Sequence, residues 1–275
     1  MVVSFRLKSN VVKDGEPCGL DPKQVLGKTI VELANESGES GCDHFEALLL
    51  FSRKLLELWG VQRRFETGPI GGHINTNKKP NLIFGNHPGS IDVPLVLTTL
   101  QDLGILDPEV QILVSEVSYP FYTRNFGHKN FVEASRRPVV ISESLRRVSD
   151  NLNGGGQFLI FPADRTLEPQ GKILFKGGLR FILSQVGGDR IVNSFYIDPD
   201  YQGRILSRSP EVLTGILHRL RSDSTELPVV PQVTIGIKRT ESLLGQWQED
   251  LNTPGGDMEV GRALSRRFLD EYGLQ

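Results

Sequence analysis

From Asn81 onward the chain alternates between short apolar runs and longer amphipathic ones, and this alternation restricts the fold more than any other feature. "NLIFG" (81–85), "VQILVSE" (110–116), "NFVEA" (130–134), "QFLIFP" (157–162), "RIVNSFYI" (190–197) and "PVVPQVTIGI" (228–237) read as strands. Between them, 92–104, 139–152, 177–187 and 210–222 carry helical periodicity, and 259–272 follows as a last amphipathic helix. Strands alternating with helices predict an α/β fold, a mixed sheet flanked by helices on both faces. In such sheets ligands bind at the carboxyl ends of the strands. His87, directly after the first of these strands, and Phe161-Pro162, at the end of "QFLIFP", are therefore expected to line one crevice.

A chain of 275 residues with 38% hydrophobic content is long enough for one large α/β domain. We read residues 1–42 as a polar N-terminal segment, with "NESGESG" (35–41) as a loop, and 43–275 as one domain whose core spans 58–240. "DHFEALLLFSRKLLELWGV" (43–61) is a helix with an unusually broad apolar side, capped by Asp43 and stopped at Gly60. Such a helix packs on the domain or lies on a membrane surface; residues 43–59 are the candidate peripheral contact. A formal net charge of -2 argues against nucleic acid as a partner. Two isolated cysteines make no disulfide framework, and "MVVSFRLKSNVVKDGEP" has no long apolar run after its charges. A cytoplasmic location is expected, with any membrane contact peripheral on the cytoplasmic face.

"FGNHPGSIDVPL" (84–95) places His87 and Asp92 around a Pro-Gly-Ser link. On a continuous helix, positions five apart lie about 140° around from each other and share no site. Pro88 and Gly89 break that continuity and let the chain turn before a helix begins near Ile91. Asp92 then accepts one ring N–H of His87, fixes its tautomer and directs the other nitrogen to proton transfer. This arrangement suits a general base acting on a hydroxyl. Spacing alone leaves open the plainer reading, that His87 caps the helix.

Asn86, His87 and Asp92 followed by the apolar run through Leu97 resemble the first motif block of the PlsC-like glycerolipid acyltransferase superfamily, which includes the lysophosphatidic acid acyltransferases. "LWGVQRRFETG" (58–68) is similar to the segment preceding that block, and "FGHKNFVEASRRP" (126–138) to the second block. "FPADRTLEPQGKILFKGGLRFIL" (161–183) falls where the third belongs: Phe161 and Pro162 match its start, and Phe175 to Gly178 match its downstream run. The resemblance covers roughly residues 58–200 and implies a glycerol-3-phosphate acyltransferase-like fold with an N-terminal amphipathic helical segment. It implies acyl transfer from acyl-CoA or acyl-carrier protein to a hydroxyl acceptor, with no cofactor beyond that thioester. His87 would be the base and Asp92 its orienting partner. The oxyanion would be met by backbone N–H groups near Gly89 or by a basic side chain. Asn86, Ser90, Arg136, Asp164, Arg165, Lys176 and Gly177 are the residues it implies for substrate binding.

The third block departs from the family pattern. Ala163 stands where a glutamate is expected, Asp164 at a glycine and Thr166 at an arginine; Asp164 and Arg165 offer the two charges shifted by one residue each. In the second block Ala134 replaces the arginine, with Arg136 and Arg137 following, and the fourth block is weak at 191–197. Lysophosphatidic acid is the default acceptor. The degraded block keeps two alternatives in view: a non-phosphorylated acceptor in a specialised pathway, and a non-catalytic lipid- or carrier-binding module. Arg136, Arg165, Lys172 and Lys176 read equally as phosphate contacts or as surface cations. "LGKT" (26–29) lacks the glycine of a P-loop, since position 22 is Pro22, and His73, His87 and Asp92 lack the spacing of a metal set.

Overall fold

The run Leu82–Gly85 is buried along its whole length, and the architecture is built around it. The computed structural model describes residues 20–67, 81–162, 175, 177–221 and 230–274. In chain order the elements are α1 (Pro22–Gly38), α2 (His44–Leu58), β1 (Val61–Thr67), β2 (Leu82–Gly85), α3 (Asp92–Asp102), β3 (Gln111–Ser115), α4 (Tyr119–Phe126), β4 (Phe131–Ala134) and α5 (Pro138–Asn153). They continue with β5 (Phe158–Ile160), α6 (Gly177–Gln185), β6 (Ile191–Ile197), α7 (Tyr201–Leu206), α8 (Pro210–Arg221), β7 (Val233–Leu243), α9 (Leu244–Gln248) and α10 (Asp257–Glu271).

The seven strands form one mixed sheet in the order β1-β7-β6-β2-β5-β3-β4. β6, β2, β5, β3 and β4 run parallel; β7 is antiparallel to β6, and β1 is parallel to β7. Period-two alternation divides the core. Ile83 packs on one face with α1, α2, α3, α4, α7 and α8, while Leu82 and Phe84 pack on the other with α5, α6, α9 and α10. The Phe84 ring meets Trp247 edge-on at 4.7 Å between centroids and Phe175 at 5.7 Å, a favourable aromatic geometry. The expected α/β class, with helices on both faces of a mixed sheet, is what the chain adopts.

The topology positions the site. α3 leaves β2 on one face and α6 leaves β5 on the other, although the two strands are neighbours. Neighbouring strands whose following helices lie on opposite faces mark the place where ligands generally bind in such sheets, outside the carboxyl ends of the strands.

Three readings from the sequence change. Residues 22–38 form a helix, α1, whose Val25, Leu26, Leu33 and Ala34 belong to the core, so this part of the segment read as polar is packed into the domain. Asp21 caps it by accepting the Lys23 N–H at 3.0 Å, and its inward Thr29 hydroxyl accepts the Trp59 indole N–H at 2.9 Å. The apolar side of α2 is also interior: Phe45, Leu48, Leu49, Phe51, Leu55, Leu56 and Leu58 are buried in the shared core. Of the two roles expected for this helix, packing on the domain is the one its apolar side fills. Asp43 does cap this helix, at 2.9 Å from the Phe45 N–H. Finally, β7 starts later than expected and runs on through polar residues to Leu243. Among the described residues no helix is long and apolar enough to cross a membrane.

α10 closes the second face over a polar cluster. The Ser194 and Thr240 hydroxyls donate to Glu271 Oε2 at 2.9 and 2.8 Å. Burial raises the Glu271 carboxyl above its ordinary range, opposed by those two hydrogen bonds and by the charge of Arg267. The folded state therefore holds this proton to higher pH than the unfolded chain does. The associated stability is fully present below the ordinary carboxylate range and is lost as pH rises through the raised value. Glu271→Gln keeps the acceptor oxygen and removes the titration. Thermal melts should show the variant gaining on the native protein as pH rises from the ordinary carboxylate range through the raised value; a constant difference would exclude Glu271 as the source.

Candidate active site

The loop after β2 turns back as its Pro-Gly-Ser sequence predicts. α3 begins at Asp92 with Ile91 as its N-cap residue, and His87 Nδ1 hydrogen-bonds Asp92 Oδ2. The His87 side chain is 25% exposed and the Asp92 side chain 0%, so a solvent-reachable imidazole rests on a buried carboxylate. An ionised carboxylate at that depth needs donors. Asp92 Oδ2 also accepts the Gly89 N–H at 3.1 Å, and Oδ1 accepts the Tyr201 hydroxyl.

Three adjacent strands supply these groups. β2 leads into His87, β5 leads into Phe161 and β6 leads into Tyr201. The Phe161 ring lies 5.4 Å from the His87 ring, so the ends of β2 and β5 stand side by side. α7 holds the loop from below: Gln202 Oε1 accepts the Ser90 N–H at 3.0 Å, and the Tyr201 hydroxyl accepts the Ile91 N–H at 3.4 Å.

These bonds revise several assignments. The N–H groups of Gly89, Ser90 and Ile91 are directed to Asp92, Gln202 and Tyr201, so they are not the oxyanion donors expected near Gly89. Asn86 is 3% exposed; its Nδ2 donates to the Ile197 carbonyl and its Oδ1 accepts the Ile197 N–H, both at 2.7 Å. That pairing ties the end of β2 to β6, which is a structural task rather than substrate binding. Ser90 stands beside the dyad and is anchored through its backbone. Arg136 follows β4 at the sheet edge, three strands from β2 and so on the order of 14 Å away. Its side chain is 93% exposed, with Glu116 at 3.7 Å. Gly177 is the first residue of α6. Asp164, Arg165 and Lys176 lie outside the described residues, as do His73, Lys172 and the rest of the third block from Ala163 to Ile173.

Two surface cavities, of about 290 and 530 Å³, lie elsewhere; the first is lined by residues including Arg53, Gly60 and Arg63, the second by residues including Arg266, Arg267 and Glu271. Neither includes a dyad residue.

Tyr201 and Gln202 escaped the sequence reading. They stand more than a hundred residues from the loop they hold, and "DPDYQG" (198–203) reads as a turn. The one local signal was Gly89. A Cβ there would sit 2.2 Å from the Tyr201 hydroxyl and 2.3 Å from Gln202 Oε1, so only glycine fits against α7 without a shift.

Compared with known proteins, the chain matches no family model and no curated protein.

Proposed function

We propose that the protein is an acyltransferase that moves a fatty acyl group from an acyl-CoA or acyl-carrier-protein thioester to a hydroxyl acceptor, a lysophospholipid or glycerol phosphate. The observation that carries this reading is the buried, triply hydrogen-bonded Asp92 holding Nδ1 of a partly exposed histidine just past the carboxyl end of β2. With Nδ1 assigned to Asp92, proton exchange with substrate runs through Nε2.

His87 Nε2 takes the acceptor's hydroxyl proton as the oxygen attacks the thioester carbonyl carbon, and the carbonyl π electrons move onto oxygen. As the carbonyl reforms, the C–S bond breaks and the imidazolium returns its proton to the departing thiolate. Ester and free thiol result, with no covalent enzyme intermediate. Asp92 stabilises the imidazolium between the two transfers. Since the three loop amides are engaged, charge on the former carbonyl oxygen calls for a side-chain donor. On this reading Arg165 and Lys176 supply phosphate or oxyanion contacts, Asp164 contacts the acceptor, and the fold is glycerol-3-phosphate acyltransferase-like.

The test is free-thiol release from palmitoyl-CoA and from palmitoyl-carrier protein, followed with a thiol-reactive dye. Lysophosphatidic acid, glycerol 3-phosphate and non-phosphorylated alcohols are compared as acceptors. We expect release that depends on a phosphorylated acceptor. Release with uncharged acceptors alone would reassign the acceptor and keep the chemistry. No acceptor-dependent release from either donor would leave a binding module and end the acyltransferase reading.

A further inference from the structure

We infer that Tyr201 is the positioning residue of the His87–Asp92 pair, an assignment that rests on the acyl-transfer reading. It is the first residue of α7, it is 1% exposed, and its hydroxyl donates to Asp92 Oδ1 while accepting the Ile91 N–H. The two carboxylate oxygens therefore have separate tasks. Oδ2 faces His87 and the Gly89 N–H, and Oδ1 faces Tyr201.

Rotation about the Cβ–Cγ bond of an aspartate is soft, because this torsion has broad wells. Partners on one oxygen alone leave the carboxylate plane free to swing. A donor on the second oxygen fixes that plane and keeps Oδ2 aimed at Nδ1. Burial makes the tyrosine hard to replace: Asp92 is 0% exposed, so bulk water does not reach Oδ1 to take over. A hydrogen bond to a charged acceptor is also stronger than one between neutral groups.

Gln202, the next residue, supplies an internal control. It holds the same loop through the Ser90 backbone and makes no bond to the carboxylate among the described contacts. A residue that only packs the loop and a residue that aims the charge are thus separable by substitution.

Tyr201→Phe keeps the ring and removes the hydroxyl. We expect kcat for acyl transfer to fall about 10-fold or more, with KM for donor and acceptor changed less than about twofold. The NMR resonances of His87 Nδ1 and its proton should move in Tyr201→Phe and stay in place in Gln202→Ala. Native kcat with unmoved resonances in Tyr201→Phe would overturn the assignment. A resonance displaced equally in both variants would reduce Tyr201 to a packing residue. Should Tyr201→Phe fold poorly, a fluorinated tyrosine at 201 keeps the shape and strengthens donation, and the resonance should then move the opposite way. The NMR comparison needs no turnover, so an inactive native protein would defeat the acyl-transfer reading while Tyr201 is still judged.

Discussion

His87→Ala is expected to lower acyl transfer at least about 100-fold, the usual contribution of a positioned general base, while the protein stays folded. The fold should tolerate the change because the ring is not a core residue, its side chain being 25% exposed. Asp92 keeps two of its three donors, the Gly89 N–H and the Tyr201 hydroxyl, so its buried charge is not left without partners. Loss should fall on kcat more than on KM, since the imidazole takes the proton only as the acceptor oxygen attacks. Thiol-release kinetics with a circular-dichroism melt as control make the measurement. A variant that retains more than about a tenth of the native rate would remove His87 from the chemistry, because general bases do not contribute so little.

Gly89→Ala should damage the same site by a different route. No positive φ is recorded at Gly89, so the requirement is for space and not for backbone conformation. The added methyl would stand 2.2 Å from the Tyr201 hydroxyl, 2.6 Å from the carbon that bears it and 2.3 Å from Gln202 Oε1. The tip of Gln202 can swing away. Tyr201 cannot, since it is 1% exposed and packed in the core. The loop must then lift off α7, which breaks the Ser90–Gln202 and Ile91–Tyr201 bonds and pulls Asp92 away from the Tyr201 hydroxyl. Overpacking of this kind costs about 1–3 kcal/mol. For a domain of this size that lowers the melting temperature by several degrees. Acyl transfer should fall by as much as in His87→Ala or nearly so. Native activity at a native melting temperature would show that α7 gives way, and would weaken the account of the loop as clamped from below.

The sequence by itself determined the alternation of elements and the local turn at His87. Both are short-range: apolar spacing assigns β2, α3 and α5 within a few residues, and Pro88-Gly89 breaks the helix so that His87 reaches Asp92. α1 was missed because its inward side mixes Val25 and Leu33 with Thr29, Ala34 and Ser37, which dilutes the apolar stripe that marks a helix. The far half of β7 was missed for a similar reason. Its Thr240 and Ser242 face inward, where they hydrogen-bond Glu271 and Trp247, and periodicity does not register satisfied polar residues. Only the tertiary structure decided three further matters. It put the broad apolar side of α2 inside the core, because burial depends on which helices pack there and not on the pattern of one helix. It turned Asn86 toward Ile197 instead of toward a substrate. It also brought Tyr201 and Gln202 under the loop, since β6 pairs beside β2 although the two strands lie far apart in the chain. Sequence spacing carries proximity only within a turn or a helix; contacts across a sheet are set by strand order, and strand order is a property of the whole fold.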